Sequence, residues 1–260
     1  MRSLTRHLSL LPLILLTFAE LKADFVSDLA KLHVETCGGS ARLSAFKSLE
    51  ATGQVSIGDK TLETRIYAVS PNRVRSEIQG EGLYTVQVYD GSAPPWQATL
   101  VPNETPLPSP LSPEAAKEFI RDSEFEDLLL APEKHGRSLR YIGPLDADEG
   151  PVERIRISDP DGQECELWLD ARTYFIVRQR TLRTLPGGRI ARIETRFSDF
   201  RPVNGLILAH RIRVYGEGRK LHETELGTVH VNIEIDPRLF TAASLTPQTV
   251  ASQAPANPGL

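Results

Sequence analysis

The sequence is poor in the features that mark several classes of protein. Two cysteines in 260 residues are too few for a disulfide scaffold or a four-thiolate zinc site. The apolar run Leu8–Phe18 is shorter than the about 20 residues that span a bilayer. The formal net charge of −4 offers no basic surplus of the kind that holds nucleic acid. With 40% hydrophobic and 25% charged residues, the composition is typical of a globular protein.

The N-terminal 23 residues have the order of an export signal. A basic region comes first, formed by Arg2, Arg6 and His7. The apolar run follows it, and Ala23 offers a small residue for cleavage, with Ala19 as a second choice. The alternative is a buried N-terminal helix. Since the first cysteine is Cys37, we expect no lipid anchor, and the mature, exported chain should begin near Asp24.

The two cysteines, Cys37 and Cys165, permit a disulfide in an exported protein. Their positions do not establish one, and both are equally consistent with small buried side chains. We favour unpaired burial, because free cysteine is among the most buried residue types.

Helical periodicity occurs at the start and in the middle of the chain. Phe25, Leu29 and Leu32 predict a helix from Asp24 to Thr36, which the glycine pair Gly38-Gly39 ends. Two more helices are predicted, a short one capped by Ser40 and one from Ser112 to about Ser123.

Alternation of apolar and polar residues predicts two antiparallel meanders, because the turns are too short for parallel crossovers. The predicted strands are Val55–Ile57, Leu62–Ala68, Val74–Ile78, Leu83–Tyr89, Leu139–Ile142, Val152–Ser158, Glu164–Leu169, Phe175–Leu182, Ile190–Phe197, Ile207–Val214 and Leu221–Ile235. The proline-rich stretch 93–113 is expected outside any sheet interior. These elements predict an α+β fold, a strongly curved antiparallel sheet with helices on one face.

No residue pattern predicts catalysis or a metal centre. The HExxH, CxxC, GxSxG and phosphate-loop patterns are missing, and the six histidines are scattered and expected at the surface. We therefore expect no enzyme, no metal and no cofactor. Of the 30 basic residues 23 are arginine, a bias that suggests no function by itself. The large apolar sheet face is either plain core or the wall of a cavity for an acyl chain or lipid.

Several motifs in chain order point to one family. The most specific are Pro71-Asn72-Arg73 and the run Asp199–Gly205; the others are Cys37-Gly38-Gly39, Ala51-Thr52-Gly53, Tyr89-Asp90-Gly91, Leu169-Asp170 and 232–240. Over about residues 25–241 the chain resembles the periplasmic outer-membrane lipoprotein-sorting proteins, the LolA/LolB-like superfamily.

The resemblance implies an unclosed β-barrel whose concave face is covered by helices, with a lid over an apolar cavity. It implies a periplasmic carrier or binding protein for acylated lipoproteins or lipids, which works without covalent chemistry and as a monomer. Its partners would be acyl chains, an inner-membrane lipoprotein exporter and an outer-membrane receptor. The expected division is a signal peptide at 1–23, the half-barrel domain at 24–241 and a disordered tail at 242–260.

The resemblance also suggests site residues. The cavity would be lined by Val55, Ile57, Ile66, Val74, Val86, Val88, Trp96, Phe119, Leu128 and Leu129. Carriers of this family place an arginine before the Pro-Asn pair to hold the lid, where this chain has Ser70, so Arg73 and Arg75 are the candidates for that task. Related folds also act as envelope sensors or protein-interaction modules, which is the alternative function.

Overall fold

The computed structural model describes residues 25–80, 82–100, 107–185 and 187–245. The predicted export signal, most of the predicted tail and residues 101–106 of the proline-rich stretch lie outside the described residues. Helix α1 is described over 25–36, and α2 and α3 span Ser40–Ala45 and Pro113–Asp122. Short 3-10 helices occupy Pro132–His135, Pro237–Phe240 and Ala242–Ser244.

Thirteen strands within the described residues form one antiparallel sheet. They are β1 Ser48–Ile57, β2 Lys60–Val69, β3 Arg73–Gly80, β4 Leu83–Tyr89, β5 Trp96–Leu100, β6 Ser109–Pro110, β7 Ser138–Ala147, β8 Gly150–Ser158, β9 Glu164–Asp170, β10 Ile176–Thr184, β11 Ile190–Val203, β12 Leu206–Gly216 and β13 Arg219–Val231. Strands β1 to β6 pair consecutively, as do strands β7 to β13, and β1 pairs with β13. Strands β6 and β7 remain as the two edges, so the predicted α+β fold with an unclosed barrel is confirmed.

Several strands are longer than predicted, such as β1, which begins at Ser48, and β11, which ends at Val203, and other parts of the chain also differ from the prediction. Strand β5 lies inside the proline-rich stretch, because Pro94 and Pro95 precede the strand and do not interrupt its hydrogen bonds. Strand β13 stops at Val231, since Asn232 has a φ of 57° and its side chain accepts a hydrogen bond from the Lys47 amide. The described chain also continues past 241 to Leu245, whose side chain is buried.

The pairing register assigns each strand residue to one of two faces. Residues paired across neighbouring strands point to the same side. One face is here called the helix face. From β8 across the sheet to β3, the paired residues that point to this face are Ile155, Leu167, Gln179, Thr195, Val214, His222, Thr224, Val55, Leu62, Thr64 and Ile78. The other side is the outer face.

Helix α1 packs on the helix face over strands β8 and β9. Val26, Leu29 and Ala30 form a buried cluster with Leu129, Ile155, Ile157, Leu167 and Leu169. Burial of each large aliphatic side chain contributes about 1.5–3 kcal/mol, so this contact docks α1 firmly. Helix α1 therefore covers the helix face over β8 and β9.

A second cluster lies on the outer face at the other end of the sheet. Residues 235–245, here called the C-terminal segment, cross strands β4 and β5. The buried members of the cluster are Tyr84, Val86, Val88, Ala98 and Leu100 with Phe240 and Leu245. The sheet is thus covered on opposite faces in its two halves.

A buried ion pair fastens α1 to the segment after α3. His33 is only 3% exposed, and its Nδ1 and Nε2 lie 2.8 Å from the Tyr174 carbonyl and 3.0 Å from Asp127 Oδ2. Because both nitrogens face acceptors, both donate and the ring is an imidazolium. Burial alone would lower the pKa of His33, but Asp127 outweighs it and raises this pKa to about 11. The expectation of surface histidines is wrong here, and also for the buried His210.

We expect Asp127→Asn to lower the free energy of unfolding by about 3 kcal/mol near pH 6, because it leaves the His33 charge buried without its partner. The pKa of His33 is raised from 6.5, so its stabilisation is complete below about pH 6.5 and is lost as the pH rises through about 11. The loss should therefore be larger at pH 6 than at pH 10 in urea titrations.

The matched control is Asp28→Asn, which removes the exposed α1 pair with Lys31. It should change stability little at either pH, since exposed pairs contribute little. An equal loss in the two variants, or a loss that does not depend on pH, would contradict a charged His33.

Candidate lipid-binding site

An apolar strip on the helix face of β2 and β3 is left outside the α1 cluster. Leu62, Ile66, Val74 and Ile78 are all half-buried. Val55 and Ala51 on β1 are buried beside them. Of the predicted cavity residues, Val55, Ile66 and Val74 therefore lie on the helix face, outside the α1 cluster.

The remaining predicted cavity residues are distributed over other places. Ile57 lies at the end of β1 on the helix face and is exposed. Val86, Val88 and Trp96 point to the outer face, where they pack with the C-terminal segment. They point to the face opposite to that of Val74 on the paired strand β3. The alternation in the sequence does not reveal which residues of two neighbouring strands share a face.

Helix α3 is attached to the sheet mainly through charged groups. It begins at Ser112, whose hydroxyl accepts from the Ala115 amide at 3.3 Å. None of its residues is fully buried, and Phe119 is half-buried. The two guanidinium Nη atoms of Arg183 each lie 2.6 Å from a carboxylate oxygen of Asp122.

A small ion cluster extends this attachment. Arg121 donates to the Gln163 side chain at 2.9 Å. The Glu118 carboxylate lies 3.5 Å from Arg121 and 3.6 Å from Arg183, and within the described part of the chain its Oε2 is buried without a hydrogen bond. These pairs hold α3 with little apolar burial, so its separation from the sheet exposes little hydrocarbon.

The segment after α3 is held at both of its sides. Leu129 is buried in the α1 cluster and Leu128 packs at its edge. At the β2–β3 turn, the Phe125 amide donates to the Pro71 carbonyl at 3.1 Å, and the Phe125 and Phe46 rings are 4.3 Å apart. A 290 Å³ cavity lies here, bordered by Ser70. The turn at the Pro-Asn motif thus contacts the helical region through backbone and aromatic groups.

The two arginines predicted to hold the lid lie on the outer face. Arg75 is 1% exposed; its Nε lies 2.5 Å from Glu77 and its Nη2 donates to the Tyr84 hydroxyl at 3.1 Å. Its Nη1 donates to the Leu239 carbonyl at 2.8 Å. The Arg73 guanidinium lies 5.5 Å from the Phe240 ring centre. Both therefore fasten the C-terminal segment, on the face opposite to the helices, because β3 directs odd-numbered residues outward.

The other chemically notable groups have structural roles. Cys37 and Cys165 are both free thiols, and burial raises the pKa of Cys165 to about 12. In the described ranges, no group of three or more His, Cys, Asp and Glu side chains is placed to hold a metal ion. No helix of the described chain is both long enough and apolar enough to cross a bilayer.

Comparison with known proteins identifies the fold. No protein-family model matches the sequence, and no curated protein matches it. A DUF1329 family protein from Desulfovibrio piger aligns with a TM-score of 0.56 at 13% identity. An outer-membrane lipoprotein-sorting protein domain from Vibrio parahaemolyticus gives 0.55 at 14%, and a LolA superfamily protein from Nitrosomonas europaea gives 0.51 at 11%. Each alignment covers 86% of this chain and 99% of the other, so the chain has a LolA-like fold.

We expect Arg183→Ala to loosen α3 without unfolding the sheet, because α3 lacks a buried apolar anchor. Hydrogen exchange should speed up for the amides of residues 116–122 by about tenfold, while the amides of β8 and β9 stay protected. Arg180→Ala is the matched control, since it removes an arginine of the same strand that points to the outer face. Unchanged exchange in α3 would show that other contacts hold it.

Arg75→Met should release the C-terminal segment and lower the free energy of unfolding by about 3 kcal/mol, because Glu77 loses its buried partner. Limited trypsin digestion would then cut after Arg238 before the rest of the chain. Arg73→Met serves as comparison and should cost less than about 1 kcal/mol, since it removes one cation–π contact. Equal effects of the two substitutions would contradict the central role of Arg75.

Proposed function

We propose that this chain, which has the LolA-like fold, is an exported periplasmic carrier that shelters acyl chains of lipoproteins or lipids. The observation that carries the proposal is the strip of Leu62, Ile66, Val74 and Ile78 on the helix face. It is apolar, only half-buried, and lies outside the cluster that docks α1. Such an apolar surface suits a hydrocarbon chain that has to leave water.

Carriage requires a lid that can be displaced at a small cost in free energy. Exposing an acyl chain to water costs about 0.8 kcal/mol per CH₂, so the chain gains several kcal/mol on entering the strip. Partly exposed ion pairs such as Arg183–Asp122 are worth about 0–1 kcal/mol each. Cargo could therefore displace α3 while α1, with its apolar cluster and its His33–Asp127 pair, remains docked.

Carriage needs a donor and an acceptor for the cargo. In the proposed cycle an inner-membrane lipoprotein exporter delivers the acylated cargo and an outer-membrane receptor accepts it. No bond is made or broken, since transfer from one apolar site to another only exchanges contacts.

A second candidate is an envelope sensor or protein-interaction module on the same scaffold. One observation favours it: the helix face of β8 and β9 is filled by the protein's own side chains from α1 and Leu129. On this alternative the protein recognises another polypeptide, and the strip on β2 and β3 would be covered by that partner.

The test uses a photo-crosslinking amino acid at neighbouring positions of opposite parity. Ile66 and Ile78 point to the helix face, whereas Arg65 and Gln79 are adjacent in sequence and point outward. In a bacterial host labelled with radioactive palmitate, we expect irradiation to attach label at 66 and 78, and at least about fivefold less at 65 and 79.

Labelling without this difference between faces, or no labelling at any of the four positions, would contradict carriage in the strip. Native mass spectrometry of protein purified from the same envelope provides the second measurement. Lipid-free protein that crosslinks at 66 and 78 to one polypeptide would instead support the sensor alternative.

A further inference from the structure

The β10–β11 hairpin carries two strongly exposed aliphatic side chains. Leu182 is 59% exposed and Ile190 is 66% exposed. In the register, Leu182 faces Arg192 and Thr184 faces Ile190, so both aliphatic residues lie on the outer face as diagonal neighbours. Isolated exposed aliphatics are common, but a pair at one hairpin end forms an apolar patch.

This hairpin end projects beyond the adjacent strands. Strand β9 begins at Glu164, one residue before the Cys165–Thr181 pair, and β12 ends at Gly216, which pairs with Ile193. Residues 183–185 and 187–191 therefore extend past the ends of both neighbouring strands. Ile190 lies within this extension, and Leu182 lies at its base beside the start of β9.

The hairpin is also strongly basic. From Arg178 to Arg192 the sequence contains five arginines and no acidic residue. Arg178 and Arg180 pair with Glu194, and Arg183 pairs with Asp122. Arg189 and Arg192 are exposed, and among the described residues their guanidinium groups have no hydrogen bond or ion pair. Within the described chain, two guanidinium groups without an ionic partner thus lie beside Leu182 and Ile190.

A groove of 590 Å³ on the outer face continues this basic surface. It is lined by four arginines and two glutamates, namely Arg154, Arg156, Arg180, Arg192, Glu164 and Glu166. Arg156 lies 3.6 Å from each of the glutamates, beyond hydrogen-bond distance, so its donors are not fully used. Guanidinium groups bind phosphate in a bidentate manner, which suits such a groove to phosphate-bearing headgroups.

We propose that the β10–β11 hairpin docks the protein onto an anionic lipid surface. Leu182 and Ile190 enter the headgroup region, while Arg189, Arg192 and the arginines of the groove bind lipid phosphates. Apolar residues beside basic ones are the combination by which peripheral proteins bind membranes, and each basic residue near an anionic surface strengthens the attraction. Membrane docking by the hairpin does not depend on acyl-chain carriage, because binding to headgroups needs no cavity.

Co-sedimentation with vesicles tests the proposal on the full chain. We expect binding to phosphatidylcholine vesicles that contain about one third phosphatidylglycerol, and at least about tenfold weaker binding to phosphatidylcholine alone. Leu182→Ser with Ile190→Ser, and separately Arg189→Glu with Arg192→Glu, should each weaken binding to the anionic vesicles at least about tenfold. Added salt should weaken it further, since salt screens exposed charges.

Two controls match the variants in exposure and chemistry. Arg172→Glu reverses an exposed arginine in the β9–β10 turn, at the far end of β10, and Leu83→Ser replaces a 49% exposed leucine at the start of β4. Both should bind anionic vesicles like the wild type.

No binding to anionic vesicles, equal binding to neutral ones, or hairpin variants that bind like the controls would each overturn the proposal. Sedimentation of the protein alone tests the competing occupant, a second copy of the chain. A dimer that dissociates in the Leu182→Ser, Ile190→Ser variant would assign the patch to self-association and also overturn membrane docking. If the hairpin variants lose vesicle binding but palmitate still crosslinks normally at position 66, the docking site is independent of the carrier strip.

Discussion

The pairing of β1 with β13 is the constraint on which the rest of the structure depends. Each meander consists of hairpins that form locally, but only this pair joins the first strand to the last and makes one sheet of two halves. The register shifts by one residue between Thr52 and Gly53, and a Cβ at Gly53 would lie 2.0 Å from the Glu225 carbonyl oxygen. Only glycine allows the two strands to approach here, so the pairing that joins the two halves requires a position without a side chain. Closing so long a loop costs chain entropy, which the many backbone hydrogen bonds of two long strands offset.

The two faces of the joined sheet have different chemistry because alternate residues serve each of them. On the helix face, aliphatic residues of β8 and β9 bury α1. On the outer face of the same strands, arginines and glutamates pair across strands; Arg180 and Arg178 stack on Trp168 at 4.1 and 4.2 Å while they bond Glu194. This ladder accounts for much of the arginine bias, since a long planar cation covers apolar surface and pairs with acids at once. Where the ladder ends, at the β10–β11 hairpin, arginines remain without acidic partners.

The two principal helices are attached by different forces, and this difference underlies the proposed carriage. Helix α1 combines buried aliphatic packing with the His33–Asp127 ion pair, whose removal would leave a charge in the interior. Helix α3 has an N-cap and partly exposed ion pairs to Arg183 of β10 but no fully buried residue. A protein with one fixed helix and one weakly held helix can uncover part of its helix face without losing its fold. The C-terminal segment contributes to this rigidity from the other side, because Arg75 ties it to β3 and β4.

The sequence by itself determined the strand pattern, the antiparallel connectivity and the one-sided helices, because alternation, helical spacing and turn residues act over a few neighbours. Ser112 as the cap of α3 and the short helix at Ser40 are such local features. Only the tertiary structure decided which of the two alternating sets of side chains in each strand points to the helix face. A strand with small or mixed residues on both sides, such as β3 or β4, does not indicate in its sequence which face it will bury. Val86 and Val88 packing under the C-terminal segment, Arg75 binding Leu239, and His33 meeting Asp127 all join residues distant in sequence or placed by register. Their partners depend on the β1–β13 pairing and on how the chain crosses the sheet, which no local pattern encodes.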